Sequence, residues 1–174
     1  MAYTLAEFCT DTNAILKAKP LAPALDDIAE RLHRLLVNPA FVAETFSEEM
    51  PPGKRVLYQD PDLDFQVLAH VQEGGKSGVP HSHGMSWAIY GNARNVTEMT
   101  EWRRVNPESD DHLELAVSSK YALHPGDTHA YGPGMIHSVA HPRAAWVVRV
   151  TGTDLDKLPR YHFRKQKDKI VETV

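Results

Sequence analysis

Two imidazoles stand one residue apart at His81-Ser82-His83. On a β-strand, side chains at i and i+2 point to the same face, so this pair offers two neutral nitrogen donors on one wall. That is half of a metal site. The chain holds 10 histidines, and six of them fall in two clusters, 81/83 and 124/129/137/141. Clustered histidine points to a bound divalent cation.

Such a pair needs strands to hold it, and the sequence around it supplies them. Phe65, Val67 and Ala69 alternate with Gln66, Leu68 and His70. Trp87–Tyr90, Ala93–Val105, His112–Leu123 and Ala144–Thr151 are further expected strands, with turns at 73–78, 106–111 and 124–127. Short strands broken about every ten residues predict an all-β barrel or sandwich. The first 50 residues read differently. From Pro23 onward, Leu25, Ile28, Leu32, Leu35 and Leu36 fall on one face of an α-helix, which Asn38-Pro39 should stop. A weaker helix is expected over Leu5–Ala18 and a short turn over Ala40–Phe46. The expected organisation is a single domain: helices over 1–50, a barrel over 51–155 and a polar, solvated tail over 156–174.

Gly75 lies six residues before His81, while Gly126 lies eight before Gly134 and eleven before His137. These spacings resemble the two motifs of the cupin superfamily, G-x5-H-x-H and G-x7-G-x2-H. The resemblance implies a double-stranded β-helix, in which His81, His83 and His137 converge on one metal ion. Most cupins add a Glu four or five residues after the second histidine. Here those positions are Trp87 and Ala88, and neither can ligate. A three-histidine site with open positions is therefore expected, and open positions suit a catalytic ion.

Within that superfamily the chain is similar to the thiol dioxygenases, the cysteine dioxygenase group, which use three histidines without the Glu. The spacing of Arg55, Phe65 and His81 matches that group, as do the stretches Pro80–His83 and Ile136–Val139. The resemblance implies iron(II) as cofactor, O2 and a small carboxylate-bearing molecule as substrates, and Arg55 as the carboxylate anchor. A guanidinium suits that task because it pairs bidentately and keeps its charge. The family's Ser-x-His-x-Tyr triad is missing, since its strand here offers Val147, Arg149 and Thr151. The group's thioether cysteine is missing too, with Trp87 and Ala88 in its place. Arg149 becomes a second candidate anion clamp, and thiol oxidation is expected to be poor. His141 and Tyr131 are candidates for proton transfer or hydrogen bonding near the ion, and Trp87 for substrate contact. His129 is a further candidate neighbour of the site, and His124 reads as a turn residue.

Three histidines do not choose among iron, zinc, manganese and nickel. A lyase, an isomerase, a carbon–carbon-cleaving dioxygenase and a non-catalytic binding protein remain open beside the thiol dioxygenase resemblance. The formal charge of −4 argues against a nucleic-acid partner. The absence of an apolar run of about 18 residues argues against a membrane span. One cysteine and no basic, apolar leader predict a cytoplasmic protein, monomeric or homodimeric.

Overall fold

The first helix is closed by a reciprocal cap. Thr4 Oγ1 accepts the Glu7 backbone N–H at 3.3 Å, and the Glu7 carboxylate accepts the Thr4 N–H at 2.8 Å. This capping box starts α1 (Leu5–Ala18). Helix α2 (Leu21–Leu36) buries the expected stripe, Leu25, Ile28, Leu32, Leu35 and Leu36. Asn38 then both ends one helix and starts another. Its Oδ1 accepts the Ala40 N–H at 3.1 Å, capping α3 (Pro39–Thr45). The computed structural model describes residues 2–110, 112–159, 161–166 and 169–173, with Phe163 the one side chain described beyond residue 159.

The strands form two antiparallel sheets. The first runs β1 (Gly53–Gln59), β2 (Gln66–Gln72), β10 (Ala145–Thr151), β5 (Ala88–Arg94) and β8 (Thr128–Tyr131). The second runs β12 (Lys169–Thr173), β11 (Tyr161–Gln166), β4 (His81–Ser82), β9 (Ile136–His141), β6 (Thr97–Arg104) and β7 (Leu115–Leu123), with β3 (Lys76–Ser77) also on β9. Two facing antiparallel sheets carrying an N-terminal helical segment match the barrel architecture expected from the sequence.

The central strands of the first sheet, β2, β10 and β5, are buried on both faces. Val67, Ala69, Ile89, Val148 and Val150 point outward into one helix-side core together with Ile28 and Leu32 of α2. Ala88, Tyr90, Ala145 and Val147 point inward and meet Met99 and Leu123 of the second sheet. The helix lies so close that a Cβ on Gly91 would stand 2.5 Å from Leu36 Cδ1. Asp60 ties α1 to the turn after β1. Its carboxylate accepts Asn13 Nδ2 at 3.0 Å, the Leu63 N–H at 2.8 Å, the Asp62 N–H at 3.0 Å and Tyr58 Oη at 3.1 Å.

Two expectations are corrected. The strand expected over Ala93–Val105 is broken by a turn that carries the chain from β5 in the first sheet to β6 in the second. Asn95 takes a positive φ of 58° there, a conformation Asn tolerates better than most residues. Its amide donates to the Ala144 carbonyl at 2.6 Å. The expected polar tail over 156–174 instead forms a short 3-10 turn, Leu155–Lys157, then the hairpin β11–β12. Tyr161 and His162 pair in register with Ser82 and His81, and the Phe163 N–H bonds the Pro80 carbonyl at 2.8 Å. That hairpin braces the strand that carries His81.

Candidate metal centre

Strand register brings the histidines together. His81 on β4 stands opposite His137 on β9. β4 is only two residues long, so His83 lies one residue beyond it, where the chain turns. One ring nitrogen from each of the three histidines lies within 4.8 Å of the others. Ring centroids are 4.5 Å apart for His81–His137, 5.0 Å for His83–His137 and 5.3 Å for His81–His83.

The donor chemistry fits a divalent ion. His81 Nδ1 lies 3.1 Å from the Val79 carbonyl. A carbonyl can only accept, so Nδ1 carries the proton and Nε2 is left as the ligand atom. His137 is fully buried. Burial first, then the charge of His81, push its pKa down to about 3, and the Met135 backbone opposes that only in part. It is a neutral imidazole throughout the physiological range, which is the state a ligand needs.

Tyr131 stacks on His137 with centroids 4.2 Å apart and planes 21° from parallel. Its hydroxyl bonds that of Tyr121, which donates to Glu101 Oε1 at 2.9 Å. His129 Nε2 meets the same carboxylate at 3.0 Å. Burial raises the pKa of both phenols. Tyr131 therefore fixes the plane of a ligand ring from behind. His129 sits in that supporting cluster, and neither residue lines the cavity in front of the histidines.

That cavity holds about 330 Å³. His81 and Tyr90 line it, together with Lys76, Arg149, His70 and His141, and no carboxylate does so among the described residues. Register explains which side chains arrive. Directly opposed residues of an antiparallel pair share a face. Val147 opposes His70, and Arg149 opposes both Leu68 and Tyr90. All of these face the barrel interior. The Arg149 guanidinium carbon lies 6.0 Å from the Tyr90 ring centroid, and its buried Nε has no hydrogen-bond partner among the described residues. Thr151, the third inward position, is fully buried and donates to the Thr153 carbonyl at 2.8 Å.

His141 joins the cavity in a defined tautomer. Thr97 Oγ1 donates its single proton to Asn92 Oδ1 at 2.7 Å. Its contact with His141 Nδ1 at 3.3 Å must then run from the imidazole to the hydroxyl. His141 Nε2 is left as an acceptor, and burial lowers the pKa of the ring.

Two expected substrate residues lie elsewhere. Arg55 opposes Ala69, a member of the helix-side core, so it faces out of the barrel. It is exposed and donates to the Thr45 carbonyl at the end of α3 at 2.5 Å. Trp87 is buried in the helix-side core, where a Cβ on Gly152 would stand 2.6 Å from its Nε1. His124 is the turn residue expected, its N–H bonded to Asp127 Oδ2 at 2.8 Å.

His70 and Lys76 line the cavity and were not expected there; Tyr90, read from the sequence as barrel-wall packing, lines it too. His70 shares the Gln66–Leu68 face, and that alternation was its one available signal. Tyr90 follows His83 by seven residues on the next long strand, and no motif marks it.

No protein-family profile matches the chain, and no curated protein matches it in sequence. Similar solved structures exist at low identity. A conserved protein of unknown function from Streptococcus pyogenes is 17% identical with a TM-score of 0.46, covering 64% of this chain and 82% of its own. A cupin superfamily protein from Desulfitobacterium hafniense is 17% identical with a TM-score of 0.45, covering 63% and 84%. KdgF from a Halomonas species is 18% identical with a TM-score of 0.45, covering 67% and 96%. None of the described helices is long and apolar enough to cross a membrane.

Proposed function

We propose that this chain is a mononuclear metal-dependent enzyme of the oxygenase kind, acting on a small carboxylate-bearing molecule with O2 as co-substrate. His81, His83 and His137 would hold the ion, with iron(II) the first choice. The observation that carries this reading is the pairing of the three-histidine cluster with a cavity lined by cationic side chains and imidazoles. When bound, the ion supplies Lewis acidity and, as iron(II), an electron source for O2.

The chain's own residues divide the remaining work. Arg149 offers its fork to the substrate carboxylate, and Lys76 adds a second positive charge at the cavity wall. An uncompensated guanidinium in a partly buried site costs free energy, and an anion removes that cost. Val139 and Val147 line the same cavity and keep part of it dry. His141 Nε2, fixed as an acceptor by the Thr97 contact, takes a proton from bound substrate.

The acceptor nitrogen of His141 also favours a second reading, a metal-dependent isomerase or lyase that needs a base beside a chelated acid and no O2. Iron-loaded protein with a panel of small carboxylates separates the two. Oxygen consumption that depends on substrate and is lost in His83→Ala supports the oxygenase. Turnover without oxygen uptake supports the second reading. Failure to bind any carboxylate contradicts both.

A further inference from the structure

We propose that Tyr90 supplies the fourth donor of the metal site through its phenol oxygen. The proposal rests on the three-histidine reading above and deepens it.

Tyr90 lies on β5, buried, with its side chain turned into the barrel. Its hydroxyl is 3.2 Å from His83 Nε2 and 3.4 Å from His137 Nε2. Two ligand nitrogens and one phenol oxygen thus converge on one small volume. As a hydrogen-bonded set the arrangement is inefficient. The phenol donates its one proton to one nitrogen and accepts from the other only if that ring carries its proton on Nε2, a tautomer that leaves this atom unable to ligate. A cation satisfies all three atoms at once.

The spacing agrees with coordination. A tetrahedral site with bonds of about 2.0–2.1 Å has donor–donor edges of about 3.3–3.4 Å. The two observed separations bracket that value. An N–H···O hydrogen bond spans about 2.7–3.2 Å, so the contact to His83 fits either arrangement and the longer one to His137 fits coordination better.

The position also answers a departure in the sequence. Ala88, where a cupin Glu is expected, faces the interior on the same strand, two residues before Tyr90. A phenol reaches further than a carboxylate, so an oxygen donor placed later on β5 still arrives at the histidines. The Arg149 guanidinium carbon lies 6.0 Å from the centroid of the Tyr90 ring, on the same cavity wall. The site would then be three nitrogens and one anionic oxygen, with substrate entering from the cavity that His81 and Tyr90 both line. The net charge at an iron(II) centre falls from +2 to +1, which favours the ferric state relative to a site of three neutral imidazoles.

Ferric protein reports the bond directly, because an iron(III)–phenolate pair has a visible charge-transfer band that imidazole ligation lacks. Full-length protein loaded with ferric iron is expected to show that band with phenolate modes in its resonance Raman spectrum. Tyr90→Phe is expected to remove it, to lower zinc affinity at least tenfold, and to leave the circular dichroism unchanged. Tyr131→Phe is expected to keep the band. Wild-type protein that binds one ion through the histidines yet shows no band, or a Tyr90→Phe variant with wild-type zinc affinity, would overturn the role of Tyr90 alone. Wild-type protein that binds no ion would overturn the three-histidine reading together with it.

Discussion

Arg149 and Tyr90 face one another across the β10–β5 ladder, with the guanidinium carbon 6.0 Å from the ring centroid. This relationship joins the two halves of the site. Tyr90 touches the histidines, and Arg149 brings positive charge to the same cavity. The arginine expected from the family resemblance, Arg55, ties α3 to the barrel from outside instead.

Exchange of the two arginines should therefore separate binding from stability. Each charge-assisted hydrogen bond contributes about 1.5–3 kcal/mol, so Arg149→Ala is expected to weaken carboxylate binding at least tenfold. Arg149→Lys should recover only part of it, because an ammonium lacks the planar fork. Arg55→Ala should leave binding at the wild-type level and lower the melting temperature. Calorimetric titration with small mono- and dicarboxylates, beside thermal unfolding, reads both effects. Equal loss of affinity in Arg55→Ala and Arg149→Ala would contradict the placement.

Asp60 makes the fold sensitive to acid. Burial raises its pKa, but Asn13, the Leu63 and Asp62 backbone N–H groups and Tyr58 outweigh that, and the net shift is downward. A carboxyl with a depressed folded pKa contributes stability above its unfolded value, about 3.9. That stability is lost as pH falls through the lower folded value. Urea unfolding between about pH 5 and pH 2.5 should thus show a steeper decline for wild type than for Asp60→Asn. Asp60→Ala should be less stable at neutral pH by about 1–3 kcal/mol for each buried donor left unpaired. Parallel slopes for wild type and Asp60→Asn would show that another carboxyl controls the acid limb.

The contact between α2 and β5 leaves no room for a methyl group. A Cβ on Gly91 would meet Leu36 Cδ1 at 2.5 Å and Leu32 Cδ2 at 2.8 Å. Gly91→Ala is expected to cost about 1–3 kcal/mol through overpacking, measured by chemical denaturation. A Gly91→Ala, Leu36→Ala double variant should recover part of the loss from the clash, so the two substitutions should not add. Strict additivity would mean that the helix does not press on the strand as described.

The histidine cluster and the helical face were legible because each is a periodic or spaced pattern. His81, His83 and His137 follow motif spacing, and the α2 stripe follows the helical repeat. Arg149 was legible for a related reason, since alternation along β10 puts it on one face with Val147. What failed depended on which face of the first sheet is the inside. Helices cover its outer face, so the apolar side of β2, Val67, Ala69 and Val71, points out and the mixed side, Gln66, Leu68 and His70, points into the barrel, the reverse of what an uncovered sheet would show; Arg55 shares the face of Ala69 and so points out. Trp87 failed likewise, because a large aromatic suits a helix-packed face as well as a cavity wall. The turn between β5 and β6 was missed because Asn95 takes the left-handed conformation without a neighbouring glycine. The β11–β12 hairpin is rich in charge, and its strand pairing to β4 has no apolar signature.

The central claim is that His81, His83 and His137 form one site for one divalent ion. It is tested most directly by metal analysis of purified full-length protein, alone and as the three single alanine variants. The account predicts close to one ion per chain in wild type, and a sharp loss in each of His81→Ala, His83→Ala and His137→Ala with circular dichroism unchanged. Full occupancy in any one variant would remove that histidine from the ligand set. Wild-type protein that stays metal-free after incubation with iron(II), zinc, manganese and nickel would contradict the account.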